Sequence, residues 1–214
     1  MKQLNKKIGI IGCGYMGGAI LAGLLKQGIA RPSQVYVYDK IKDKPKAFRR
    51  RFGVREGRGN ADVVSRVDIL LLAVKPQDLF AAANEFRNAF GRRHLLITIL
   101  AGTPIAKVRR AVGPDVQIIR AMPNLGAQVG EAMTALTGAG GKSMEYAEAV
   151  FSGCGKTIRL PERHLNLVTA VSGSGPAYFF LLMELLAKEA RTQGLSESVA
   201  RTLAVQTALG AALL

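Results

Sequence analysis

The stretch that decides the fold is IGIIGCGYMGGAI, residues 8–20. Its four apolar residues at the start predict a short buried strand, and the residues from Ala19 to Lys26 are spaced as on an amphipathic helix. Between them stands a GxGxxG pattern, which is typical of a dinucleotide-binding turn when it follows a strand and opens a helix. The sequence therefore predicts a strand, a phosphate-binding turn and a helix, in that order.

Each glycine of this pattern has a physical reason. Gly12 would allow the tight turn, Gly14 would let a pyrophosphate approach the backbone, and Gly17 would permit close packing of the helix. The amino end of the helix favours negative charge, which suits a phosphate. The alternative is a plain glycine loop without a ligand.

Working outward, apolar runs and helical periodicities alternate along the chain. A second strand is predicted at Val35–Tyr38, closed by Asp39. Further strands are predicted at 68–74, 95–100, 116–119, 133–136 and 157–160, and helices at 45–52, 78–90, 104–113 and 143–151. This alternation predicts an α/β fold whose amino-terminal part is a Rossmann-type, doubly wound sheet.

From His164 onward the sequence predicts helices only. Pro176 opens a long helix to about Arg191, and Ser196 caps another that is still running at Leu214. We therefore expect a nucleotide-binding domain at 1–162 and an all-α region at 163–214. Because the last helix is apolar and has no stop signal, we expect its partner to be another subunit or a further segment, and we interpret the helical region as incomplete.

Composition narrows the possible partners. The 214 residues include 30 basic and 15 acidic side chains, a net charge of +15, which suits nucleic acid or a polyanionic small molecule. The densest basic cluster, residues 42–51, lacks an RNA-reading aromatic pattern, so we interpret it as a solvated helix face or a contact to cofactor phosphate. We predict no nucleic-acid partner.

The cysteine content and the apolar runs bear on location. There are two cysteines and no signal peptide, and Cys13 falls inside the glycine turn, so we expect a reducing, cytoplasmic environment. Uninterrupted apolar runs such as 69–74 fall far short of the roughly 20 residues that cross a bilayer. We predict no membrane span, and also no metal site, because His94 and His164 lack metal-ligand spacing.

Cofactor preference stays open at the sequence level. Asp39 ends the second strand, where an acidic residue binds the adenosine ribose 2′-hydroxyl and favours NADH. Lys40, Lys42 and Lys44 follow at once and would suit the 2′-phosphate of NADPH. Asn60 is compatible with a turn and helix cap or with a cofactor contact.

Five motifs in order resemble the pyrroline-5-carboxylate reductase family. They are GCGYMGGAI at 12–20, AVKP at 73–76, AGTP at 101–104, RAMPN at 120–124 and SGSGPAY at 172–178. The resemblance implies reduction of the cyclic imine 1-pyrroline-5-carboxylate to L-proline, the last step of proline biosynthesis, with NADPH or NADH. It also implies a helical dimerisation domain, in which subunits interleave their helices into homodimers or larger rings of dimers.

The resemblance also implies the roles of particular residues. The implied cofactor contacts are Ile11, Gly12, Cys13, Gly14, Tyr15, Met16, Gly17, Asp39, Asn60, Ala73, Val74, Lys75, Pro76 and Ala101. The implied substrate-side residues are Met122, Pro123, Asn124, Ser172, Gly173 and Ser174.

Two departures from the family are visible. Leu125 and Gly126 stand where members usually carry Thr and Pro, which would reshape the loop beside the substrate. The family's glycine-rich segment, whose Thr donates to the imine, lies beyond Leu214, so the sequence assigns no catalytic residue. The alternative function is a non-catalytic NAD(P)-binding paralogue with a sensing or interaction role.

Overall fold

The structure is a computed structural model that describes residues 3–214. Its strands are β1 Ile8–Ile11, β2 Val35–Tyr38, β3 Arg55–Glu56, β4 Ile69–Leu72, β5 Leu95–Thr98, β6 Gln117–Met122, β7 Ala132–Gly138 and β8 Gly155–Arg159. Its helices are α1 Tyr15–Lys26, α2 Asp43–Phe52, α3 Asn60–Ser65, α4 Leu79–Phe86, α5 Ile105–Val112, α6 Lys142–Ser152, α7 Leu165–Val168, α8 Gly175–Thr192 and α9 Glu197–Leu213.

The strands form one sheet in the order β3-β2-β1-β4-β5-β6-β7-β8. All pairs from β3 to β6 are parallel, and the chain reverses its direction of strand addition between β1 and β4. This is a doubly wound sheet with its topological switch point at β1, where ligands bind in such folds. The predicted α/β class and the helical region after it are confirmed.

Helices cover both faces of the sheet. On one face α1 and α6 bury side chains such as Leu24 and Phe151, and on the other α4 and α5 bury Phe86 and Val108. Every residue of β1, β4 and β5 is buried, as expected for parallel strands packed on both sides.

Several local predictions differ from the structure. The two-residue strand Arg55–Glu56 is exposed and polar, so no apolar run indicates it. Helix α1 begins at Tyr15, four residues before the apolar spacing starts, and α4 ends at Phe86 rather than Phe90. The last two strands depart from the parallel pattern. β7 is antiparallel to β6, because the connection between them, residues 123–131, is too short for a parallel crossover; β8 is parallel to β7, and α6 supplies the crossover between these two strands.

The helical region begins with short turns and ends in a pair of long helices. A π-helical turn at Thr169–Gly173 joins α7 to α8, and α8 packs against α9. The Ser196 side chain accepts a hydrogen bond from the backbone of Val199, which confirms the predicted cap. Consecutive large apolar residues of α8 are more than half exposed, from Tyr178 at 56% to Leu182 at 53%.

Candidate active site

The glycine turn lies at the carboxyl end of β1, at the switch point. Gly12 has φ +104°, and a Cβ there would lie 2.4 Å from the carbonyl oxygen of Ala73. A Cβ at Gly17 would lie 2.3 Å from the carbonyl oxygen of Gly12. At Gly14, by contrast, a Cβ would meet no heavy atom of residues 3–214 within 4 Å. Two glycines are therefore required by the fold itself, whereas Gly14 leaves open space in front of the backbone at the start of α1.

A cleft of about 390 Å³ adjoins this turn. It is lined by Ile11, Gly12, Gly14, Tyr38, Asp39, Lys40, Ile41, Lys44, Asn60, Ala73, Val74, Lys75, Gln77, Asp78, Ala81, Ala82 and Glu85. The structure thus brings together eight of the predicted cofactor residues: Ile11, Gly12, Gly14, Asp39, Asn60, Ala73, Val74 and Lys75.

The other predicted cofactor residues lie around the cleft without lining it. Cys13 and Tyr15 border a neighbouring groove between α1 and α2, and the Tyr15 side chain is exposed. Pro76 begins a 3-10 turn after β4, and Ala101 is exposed in the turn after β5. Met16 and Gly17 lie within the first turns of α1.

Asp39 is tied to the glycine turn. One carboxylate oxygen accepts the backbone N–H of Cys13 at 2.8 Å, and the other accepts the N–H of Ile41 at 2.9 Å. The side chain is only 10% exposed, and the nearest cation is Lys44, whose Nζ lies 4.0 Å from Oδ2. Asp39 therefore fixes the turn as well as lining the cleft.

Asn60 presents an unpartnered acceptor among the cleft-lining residues. Its Nδ2 donates to Glu85 at 2.9 Å, while its Oδ1 is buried and has no hydrogen-bond partner among residues 3–214. Gly59, not Asn60, occupies the position that caps α3, so the interpretation of Asn60 as a helix cap is wrong. Since buried polar atoms are nearly always paired, an orphaned oxygen of this kind points to a ligand donor.

Sequence reasoning missed the contribution of α4 to the cleft. Asp78, Ala81, Ala82 and Glu85 all line it, at positions i, i+3, i+4 and i+7. This spacing marks one helix face, and the helix follows the strand next to the switch point. The helical spacing of these four positions could have indicated from the sequence that they share the face toward the cleft.

The substrate-side motifs meet at a junction between the sheet and the helical region. The Asn124 side chain donates to the carbonyl oxygen of Ser172 at 3.0 Å and accepts from the backbone of Met133. Ser172 is four residues before Pro176, which has no N–H to donate back to that carbonyl. Met122 also touches this point, because a Cβ at Gly173 would lie 2.8 Å from its Cε. RAMPN and SGSGPAY are therefore joined physically.

The unusual Gly126 is explained by the turn that follows β6. A Cβ at residue 126 would lie 2.5 Å from the carbonyl oxygen of Glu131, and the N–H of Gly126 donates to Asn124 Oδ1 at 3.2 Å. A proline here would supply the Cβ and remove the N–H. The loop of this chain is accordingly a tight turn that requires glycine, with Leu125 exposed beside it.

A partly buried ion pair links the sheet to the segment that leads into the helical region. Arg120 in β6 is 6% exposed at its side chain and donates to Glu162 at 3.1 Å. The same carboxylate oxygen accepts the N–H of Ile105 at 2.7 Å, at the start of α5. Losing Glu162 would leave the buried guanidinium of Arg120 without this partner, which would destabilise the fold.

The titratable side chains outside the cleft offer little reactivity. Burial, with a smaller contribution from Asp39, raises the pKa of the Cys13 thiol to about 12, and burial raises that of Cys154 to about 11. Burial lowers the pKa of His94, whose Nδ1 accepts the N–H of Gly91. Within residues 3–214 there is no cluster of three or more His, Cys, Asp or Glu that would hold a metal ion.

A doubly wound sheet with a glycine turn at its switch point, opening on a cleft with an orphaned acceptor, defines a dinucleotide-binding protein of the Rossmann class. Residues 7–102 match the family model for NADP oxidoreductase, coenzyme F420-dependent. Residues 162–214 match the model for pyrroline-5-carboxylate reductase dimerisation.

Proteins that are similar to this chain over nearly its whole length are pyrroline-5-carboxylate reductases, in agreement with the second family model. The pyrroline-5-carboxylate reductase of Methanosarcina acetivorans is 37% identical over 97% of this chain and 78% of its own length. The solved pyrroline-5-carboxylate reductase of Coxiella burnetii superposes with a TM-score of 0.91 at 31% identity, over 98% of this chain and 79% of that one. The NADP-bound reductase structure from Plasmodium falciparum gives 0.87 at 28%, over 98% and 78%. The chain belongs to the pyrroline-5-carboxylate reductase family.

Proposed function

We propose that this protein transfers a hydride from NADH or NADPH to 1-pyrroline-5-carboxylate, giving L-proline. The observation that carries the proposal is the open backbone at Gly14, which faces a cleft at the topological switch point in a chain of this family. The five sequence motifs predict the same activity, and the identity to named reductases supports it.

The residues present fit a nicotinamide dinucleotide. Backbone groups from Ile11 to Met16 would hold the pyrophosphate at the amino end of α1, and Asp39 and Asn60 would bind the adenosine half. Val74, Lys75 and Ala101 lie at or just beyond the carboxyl ends of neighbouring strands, where the nicotinamide would be placed. When bound, the reduced nicotinamide supplies the hydride.

The protein's contribution to catalysis would be positional. An iminium carbon is already electrophilic, so the chain has to align the two reactants and exclude water rather than supply a strong base. Met122, Pro123, Asn124 and the segment Ser172–Ser174 would form the substrate side. Their mutual contacts support this role, because they fix the β6 loop against the start of α8.

The exposed apolar helices support a homodimer or a ring of dimers. Five consecutive large apolar residues on α8 leave no polar face there, as expected for a helix that is buried by another chain. The helical segment Glu162–Thr192 is also long and apolar enough to cross a membrane, by length and composition only. The match of residues 162–214 to a dimerisation model favours contact with another subunit instead. Light scattering should give at least twice the mass of one chain.

We further propose the division into a nucleotide-binding domain at 1–162 and a helical domain at 163–214, and a cytoplasmic location. Two buried, free cysteines support a reducing compartment. Neither nucleic acid nor a membrane is part of the proposal.

The test is a coupled measurement on the purified full protein. Oxidation of NADH or NADPH in the presence of 1-pyrroline-5-carboxylate should be matched mole for mole by L-proline. The Gly14→Ala variant should lower both signals together. Dinucleotide binding without any proline formation would contradict the proposal and support a non-catalytic paralogue.

A further inference from the structure

The adenosine end of the cleft carries lysines that are already paired with carboxylates. Lys40 Nζ lies 2.9 and 3.0 Å from the two carboxylate oxygens of Asp78, and Lys44 Nζ lies 4.0 Å from Asp39. These four side chains line the same cleft. The pairing bears on whether these lysines are available to the 2′-phosphate of a cofactor, a question that rests on the proposed function.

Asp39 is held where it would receive a ribose hydroxyl. Backbone N–H groups of Cys13 and Ile41 each occupy one of its oxygens, so the carboxylate cannot swing away to make room for another anion. Each oxygen retains a further lone pair for a hydroxyl donor. A 2′-phosphate in the same place would put like charges together, which costs binding free energy.

Two cations of the cleft could offset that repulsion, but Lys44 already lies beside Asp39 and Lys40 is held by Asp78. The carboxylate of Asp78 is 28% exposed and accepts from the ammonium through both oxygens, whereas the Lys40 side chain is 72% exposed. A 2′-phosphate would have to compete with Asp78 for this ammonium. The net charge of +15 attracts both cofactors, and the more negatively charged NADPH more strongly, so selectivity for NADH has to come from the side chains beside the ribose.

We propose that Asp78, by neutralising Lys40 beside the fixed carboxylate of Asp39, makes this reductase selective for NADH over NADPH. Asp78 is thus a specificity-determining residue at the start of the helix that follows AVKP. Its effect is electrostatic, and it acts on the 2′-phosphate alone.

Binding of the oxidised dinucleotides, measured by titration calorimetry, tests this without turnover. The unmodified protein should bind NAD⁺ more tightly than NADP⁺ by about tenfold or more. Asp78→Asn should lower the ratio of the NADP⁺ to the NAD⁺ dissociation constant by about fivefold, the effect of one partly exposed charge. Asp43→Asn is the matched control, because it changes net charge equally but lies outside the cleft, 91% exposed and 3.5 Å from Lys46. This control should leave the ratio within about twofold.

A second variant keeps the test decisive if Asp78→Asn unfolds. Lys40→Gln alone should raise the ratio by about fivefold, because it leaves the charge of Asp78 unpaired beside the 2′-phosphate, and in the Asp78→Asn background it should cancel the gain. Preference for NADP⁺ in the unmodified protein, or an unchanged ratio in Lys40→Gln alone, would overturn the inference while leaving the proposed function intact. Failure to bind either dinucleotide would overturn both.

Discussion

Replacing Gly14 by alanine should separate ligand binding from folding. Gly14 has φ −85° and ψ −170°, a conformation that alanine adopts freely, and its Cβ would meet nothing within 4 Å among residues 3–214. The free energy of unfolding should therefore change by less than about 1 kcal/mol. The added methyl group would instead stand where a pyrophosphate has to approach. Loss of one charge-assisted hydrogen bond, about 1.5 to 3 kcal/mol, weakens binding by roughly tenfold to a hundredfold.

Gly17→Ala should behave in the opposite way. Its Cβ would lie 2.3 Å from the carbonyl oxygen of Gly12, so the backbone of α1 or of the turn must move. We expect a loss of about 2 kcal/mol and a fall in melting temperature of about 6 °C. Gly140→Ala, at an exposed open position, is the control for both.

The assay is thermal unfolding by circular dichroism together with calorimetric titration of NAD⁺ and NADP⁺. A folded Gly14→Ala protein that binds both dinucleotides with unchanged affinity would refute the assignment of this turn as the pyrophosphate cradle. An unchanged melting temperature in Gly17→Ala would refute the packing argument.

Three further outcomes are expected. Asn124→Leu removes the hydrogen bond to Ser172 and two acceptor contacts, and should lower the free energy of unfolding by about 2 to 3 kcal/mol in chemical denaturation. Burial lowers the pKa of His94 below its usual value of 6.5, so the unfolded chain binds a proton more readily than the folded protein. The free energy of unfolding should therefore fall as the pH drops below 6.5. His94→Gln should make this free energy less dependent on pH, as chemical denaturation at each pH would show. Cys13 and Cys154 should resist alkylation at about pH 8 until the protein unfolds, as mass spectrometry would show.

Matched variants sharpen these measurements. Asn124→Asp keeps both acceptor contacts and loses only the donor to Ser172, so a stability equal to that of the unmodified protein would contradict the proposed junction. For the His94 prediction, His164→Gln is the control variant. If His164→Gln reduces the pH dependence of the free energy of unfolding equally, another group causes that dependence. Rapid labelling of either cysteine in the native protein would contradict the burial argument.

Much of the fold was predictable because its strands are fully buried. The bounds of β1 and β2 follow from unbroken apolar runs that end at Gly12 and Asp39. The strand Arg55–Glu56 was not predictable, since neither side chain is buried and its pairing depends on β2, nearly twenty positions earlier. Likewise, the antiparallel direction of β7 depends on the short connection from β6 rather than on any residue within the strand.

The candidate site divides in the same way. Its backbone part, the glycine turn, is encoded by contiguous residues and was found from the sequence. Its side-chain part is not contiguous: Lys40 pairs with Asp78 and Asn60 with Glu85, over separations of 38 and 25 positions. Partners of this kind become visible only when the sheet order is known. The resemblance supplied Asn60 but not the acid that orients it.

Pro176 gives the junction an unexpected property. Because proline has no N–H, the carbonyl of Ser172, four residues earlier, receives no donor from this position and is used by the Asn124 side chain. A residue known for interrupting helices thus leaves a backbone acceptor at the start of the helical region to a side chain from the loop after β6, and this bond ties the two parts of the chain together.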